Sequence, residues 1–89
     1  MTARIYISGF IQGVGYRQFI KKIAWQIGLT GWVKNLPDGR VEALFSGSKD
    51  KIEKAIEECW EGPFLSEVKS VDVEWVGDNQ EYKDFEIRT

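Results

Sequence analysis

Two side chains stand where chemistry could begin. Arg17 closes the run Gly13-Val14-Gly15-Tyr16-Arg17, in which glycines lead into what reads as a helix start. Such a segment offers unpaired backbone N–H groups and the positive end of a helix dipole, a cradle for an anion of phosphate size. A guanidinium adds fixed charge and a bidentate donor fork. Asn35 stands directly before Leu36-Pro37-Asp38-Gly39, a strong turn signal. A carboxamide has no useful proton affinity, but its oxygen accepts from water while its nitrogen donates, so its chemistry is positioning. Taken singly, either segment fits a plain tight turn. The glycine spacing is neither the Rossmann fingerprint nor a Walker loop, and a nucleotide site is not supported.

Composition narrows what else is possible. The 89 residues contain no histidine and one cysteine, which excludes histidine triads, histidine general acids, histidine-containing metal sites and thiolate zinc clusters. Carboxylates, arginines, amides and backbone remain. Twelve basic against fourteen acidic residues leave a net charge of -2, without the broad positive field of a general nucleic-acid binder, so an anion must be held locally. Neither a membrane-length apolar run nor a signal-peptide stretch is visible, and the unpaired Cys59 fits a reducing cytoplasm.

The elements that must position Arg17 and Asn35 follow from periodicity. Residues 3 to 8 alternate with Ile5 and Ile7 on one side and read as a first strand, and three glycines between Gly9 and Gly15 read as an irregular loop. Tyr16, Phe19, Ile20, Ile23, Ala24 and Ile27 form the stripe of an amphipathic helix that Gly28 ends as a left-handed cap. Residues 30 to 35 and 40 to 46 read as a hairpin about the Leu36 to Gly39 turn. Ser48 is the expected N-cap of a second helix with the stripe Ile52, Ala55, Ile56, Cys59 and Trp60, ending before Gly62-Pro63. On that stripe Cys59 reads as a small buried thiol rather than a reactive one. Val71, Val73 and Trp75 alternate in a fourth strand, and Phe85 and Ile87 suggest a short fifth after a polar turn at Gly77-Asp78-Asn79.

The order strand, helix, strand, strand, helix, strand predicts one α+β domain over residues 1–89: a ferredoxin-like βαββαβ sandwich, an antiparallel sheet with both helices on one face and a short extra C-terminal strand. A right-handed crossover makes the first two strands parallel, so their C-terminal ends share one sheet edge. That edge holds both the Arg17 loop and Asn35. If Val33 faces the helices, strand alternation turns Asn35 the same way.

Gly9 to Arg17 (GFIQGVGYR) and Gly31 to Glu42 (GWVKNLPDGRVE), with Gly47 beyond, closely resemble the two signature segments of the acylphosphatase family. Length, element order and the closing Phe85-Glu86-Ile87-Arg88 extend the resemblance over the whole chain. The resemblance implies a phosphate-binding loop of backbone amides at Gln12, Gly13, Val14, Gly15, Tyr16 and Arg17, with the Arg17 side chain gripping phosphate and Asn35 orienting the attacking water. It implies hydrolysis of an acyl phosphate to a carboxylate and inorganic phosphate, with no metal, cofactor or covalent intermediate. Departures are Phe10 where a basic or polar residue is common, Ile11 for valine and Tyr16 for phenylalanine, and they bear on substrate preference.

The implied chain is a cytoplasmic monomer whose partner is a small acyl phosphate, with neither nucleic acid nor membrane. Two other readings stay open on sequence: a non-catalytic module of the same fold using Tyr6 and Trp32 as base-stacking platforms, and a regulatory or carbamoyl-phosphate-specific relative.

Overall fold

The computed structural model describes residues 1–77 and 82–89. Among these residues seven elements follow in order: β1 (Thr2–Phe10), α1 (Tyr16–Ile27), β2 (Thr30–Asn35), β3 (Val41–Ser46), α2 (Lys49–Glu61), β4 (Glu67–Val76) and β5 (Phe85–Arg88). The strands form one sheet in the order β4-β1-β3-β2-β5, and both helices pack on it. Asp78 and Asn79 of the expected polar turn lie outside the described residues.

The sheet is mixed rather than antiparallel. β1 and β2 each pair antiparallel with β3, which lies between them, so they point the same way. β4 runs antiparallel to β1. β5 points along β2 and docks on its free edge in parallel, Val33 opposite Ile87.

Strand alternation and helix periodicity meet in one apolar layer. Ala3, Ile5 and Ile7 of β1, Val33 of β2, Val41, Ala43 and Phe45 of β3 and Phe85 of β5 face Tyr16, Ile20 and Ala24 of α1 and Ile52, Ala55 and Cys59 of α2, all buried. Gly28 takes the left-handed conformation (φ 91°) and returns its N–H to the Ala24 carbonyl, which stops α1. The Ser48 hydroxyl caps α2 by accepting from the Lys51 N–H.

Two local expectations are corrected. Gly9 belongs to β1, not to the loop: at a register shift beside Ser8, its α-carbon lies so close to β4 that a Cβ would meet the Glu67 carbonyl and lie 2.8 Å from the Lys69 nitrogen. Trp60 is half-exposed although the buried stripe was expected to include it. At about 100° per residue it stands about 80° around the helix from Ile52, at the rim of the stripe. Val73 and Trp75 do alternate towards the helix side, opposite Ile5 and Ala3, but on an edge strand they stay partly open beside Glu53, Ile56 and Glu57 of α2.

Candidate active site

The shared sheet edge is built from two chain segments. The loop between β1 and α1 places Gly13 at φ 80° and Gly15 at φ 82°, while no non-glycine residue of the loop has a positive φ. A Cβ at either glycine would meet nothing within 4 Å, so the requirement is for the dihedral and not for space. Alternating backbone sign of this kind is the conformation in which successive N–H groups of a loop converge on an anion.

At the start of α1 no side chain among the described residues competes for those groups. Gly15 provides no side-chain cap, and the first turn carries no acidic residue, whereas α2 has both a Ser48 cap and Asp50. The first backbone bond of the helix runs from the Phe19 N–H to the Gly15 carbonyl, at 3.0 Å. The leading N–H groups of α1 therefore remain available to an anion.

Beside this loop lies a cavity of about 170 Å³ lined by Ile11, Gly13, Gly15, Tyr16, Arg17, Gln18, Asn35 and Ile87. That is below the ~300–1,000 Å³ of sites for drug-sized ligands and suits a small charged group. Among the described residues Arg17 supplies the lining's only cation, no acidic residue contributes, and Arg17 makes no ion pair. Asn35 arrives from the last position of β2, where Val41 of β3 is its register partner. Its Oδ1 is buried and has no hydrogen-bond partner among the described residues. A buried acceptor left open at the wall of a cavity is suited to holding a donor such as water.

The two residues singled out from sequence thus meet on one cavity. Of the expected amide loop, Gly13, Gly15, Tyr16 and Arg17 line it, while Gln12 and Val14 do not. Val14 packs against the core. Gln12 turns away, donating from Nε2 to the carbonyls of Leu36 (2.9 Å) and Arg40 (3.0 Å). Ile11, Gln18 and Ile87 were not foreseen as lining residues. The signals for two of them were present: Gln18 follows Arg17 in the first helical turn, and Ile87 alternates with Phe85. Only the docking of β5 beside β2 brings Ile87 to the cavity.

Tyr16 braces the site from behind. Its hydroxyl donates to the Cys59 carbonyl in the last turn of α2, at 2.7 Å. Burial, with Cys59 adding to it, raises the phenol well above the ordinary tyrosine range. Burial likewise pushes the Cys59 thiol up to about 12, so it stays protonated near neutral pH and fits the expected inert buried thiol. On the opposite face of the sheet, Trp32 is buried, with Lys34 and Arg88 over its ring, and Arg40 lies over Tyr6. Neither ring is a bare stacking platform.

The sequence matches the acylphosphatase family model over residues 3–87. It is 41% identical over 85 residues to the acylphosphatase of Roseiflexus sp. (strain RS-1), an alignment covering 96% of this chain and 91% of that relative. With the acylphosphatase of Acaryochloris marina (strain MBIC 11017) it shares 49% identity over 83 residues, covering 91% and 86%. The crystal structure of acylphosphatase from Bacillus subtilis superposes with a TM-score of 0.97 at 34% identity, covering 99% of this chain and 98% of that one.

Proposed function

The chain belongs to the acylphosphatase family, and on that premise we propose that Arg17 with the loop amides grips the substrate phosphoryl group while Asn35 orients the attacking water. The reaction is hydrolysis of an acyl phosphate to a carboxylate and inorganic phosphate. The observation that carries the assignment of roles is the meeting, on one small cavity, of a guanidinium and a buried carboxamide oxygen that have no ion-pair or hydrogen-bond partner, respectively, among the described residues.

The chemistry asks for little more. A carboxylate leaving group is stable as an anion near neutral pH, so no general acid has to protonate it. In a loose transition state, charge spreads over the phosphoryl oxygens, and the tasks left to the enzyme are alignment and electrostatic stabilisation. Arg17 and the N–H groups at the start of α1 supply the second. Asn35 supplies the first by accepting from water, and the water's proton passes to a phosphoryl oxygen or to solvent. The reaction proceeds on this reading without a metal, a cofactor or a covalent intermediate.

Residues 1–89 act as one domain and as a cytoplasmic monomer that engages neither nucleic acid nor membrane. The net charge of -2, the covered Trp32 and the buried thiol support this reading. Among the described residues no helix is long and apolar enough to cross a membrane.

The test is hydrolysis of benzoyl phosphate with and without a chelator. Turnover unchanged by chelation is expected. Strict dependence on an added metal would overturn the mechanism, and no turnover at all would overturn the activity.

A further inference from the structure

We propose that the Gln12 side chain is a positioning residue that holds the phosphate loop in register with the strand end carrying Asn35. Nothing in its position next to Gly13 announces this, since the carboxamide points out of the cavity and across to the hairpin. One Nε2 donates to two carbonyls, Leu36 at 2.9 Å and Arg40 at 3.0 Å, on the two sides of the turn between β2 and β3. Leu36 directly follows Asn35, and Arg40 directly precedes Val41, the register partner of Asn35. The contact therefore joins the residue before the loop's first glycine to both chain segments adjoining the Asn35 pair.

The turn does not need Gln12 for its own closure. Its Leu36 N–H already donates to the Arg40 carbonyl at 2.8 Å, its Gly39 N–H donates to the Leu36 carbonyl at 3.2 Å, and the Asp38 carboxylate accepts from the Arg40 N–H at 3.1 Å. Each carbonyl that Gln12 meets thus has a backbone donor already and uses its second lone pair. A side chain only partly buried could leave both N–H groups to water at little cost. What the bond adds is a fixed relation between two segments 24 and 28 residues apart in sequence.

That relation matters for a reaction whose nucleophile and electrophile are held by different segments. The loop fixes phosphorus and Asn35 fixes water, so a shift of one segment against the other misaligns attack while leaving the anion cradle whole. Both Gln12 N–H groups and the length of its side chain are required. Alanine removes the donors, and asparagine is one methylene too short to meet both carbonyls from the same backbone position.

This inference rests on the roles proposed for Arg17 and Asn35. Its test is a cycle of Gln12→Ala, Asn35→Ala and the double variant, measuring kcat and KM for benzoyl phosphate and inhibition by inorganic phosphate, with urea unfolding to confirm that each variant is folded at the assay temperature. Gln12→Ala is expected to lower kcat about 10- to 100-fold and to leave phosphate inhibition within about threefold. In the Asn35→Ala background it should lower kcat hardly further, because the water it aligns has already lost its holder. Full multiplication of the two effects, or equal losses in kcat and phosphate binding, would overturn the inference while leaving Asn35 in its role. An Asn35→Ala enzyme with undiminished kcat would overturn the role of Asn35 and, with it, this inference.

Discussion

Tyr16→Phe removes one oxygen atom and should cost stability without costing chemistry. The last carbonyls of α2 have no partners within the helix. The Glu58 carbonyl accepts from the Gly62 N–H at 3.1 Å, and the Cys59 carbonyl accepts from the Tyr16 hydroxyl at 2.7 Å. The phenylalanine ring keeps the packing against Phe19, so the loss is confined to the hydrogen bond and the buried acceptor left behind, about 1–2 kcal/mol. For a chain of this length that is a fall in Tm of about 5–10 °C. In urea the midpoint should drop with an unchanged m-value, since the surface exposed on unfolding is the same. The hydroxyl bonds to α2 rather than into the cavity, so kcat for benzoyl phosphate and inhibition by phosphate should stay within twofold of the parent, about 0.4 kcal/mol. An unchanged urea midpoint would refute the view that this bond anchors α1 to α2. A large loss of kcat at full stability would show that the hydroxyl belongs to the reaction.

Two glycines should respond differently to alanine. Gly31→Ala drives a Cβ against the Leu44 carbonyl, 2.9 Å from its carbon and closer still to its oxygen, at φ 135°, so a loss of about 3 kcal/mol or more is expected. Gly15→Ala meets no neighbour and has only the left-handed dihedral to bear, about 1 kcal/mol. Equal shifts in their urea midpoints would contradict this ranking. Alkaline stability reports on Cys59, whose buried thiol is raised from 9.0 to about 12. Above pH 9 the unfolded chain releases this proton and the folded one keeps it, so stability falls as pH rises towards 12. Cys59→Ala should flatten that limb in urea titrations at pH 8 to 10, and an identical slope in both proteins would refute the assignment.

Local chemistry makes much of the fold legible in the sequence. The stripe from Tyr16 to Ile27, the left-handed stop at Gly28, the Ser48 cap and the turn after Asn35 are each fixed by a few neighbouring residues. The handedness of a strand-helix-strand crossover then sufficed to bring Arg17 and Asn35 to one edge, where the cavity lies. What escaped depends on distant partners. Gly9 reads as loop because its reason for being glycine, the approach of Glu67 and Lys69, lies nearly sixty residues downstream. The parallel docking of β5 and the entry of Ile87 into the cavity depend on a free edge that only the assembled sheet defines. The Gln12 side chain likewise has no local pattern, because its two acceptors belong to the β2–β3 hairpin, 24 and 28 residues away.

The central claim is a division of labour, with Arg17 for the anion and Asn35 for the water. It is tested most directly by measuring phosphate inhibition and kcat in Arg17→Ala and Asn35→Ala side by side. Arg17→Ala should lose both phosphate binding and benzoyl phosphate turnover, since the cavity has no second cation. Asn35→Ala should bind phosphate as the parent does while kcat falls by about 100-fold or more, the pattern of an interaction needed mainly in the transition state. Near-normal turnover in Arg17→Ala, or parallel losses of phosphate binding and rate in Asn35→Ala, would contradict it.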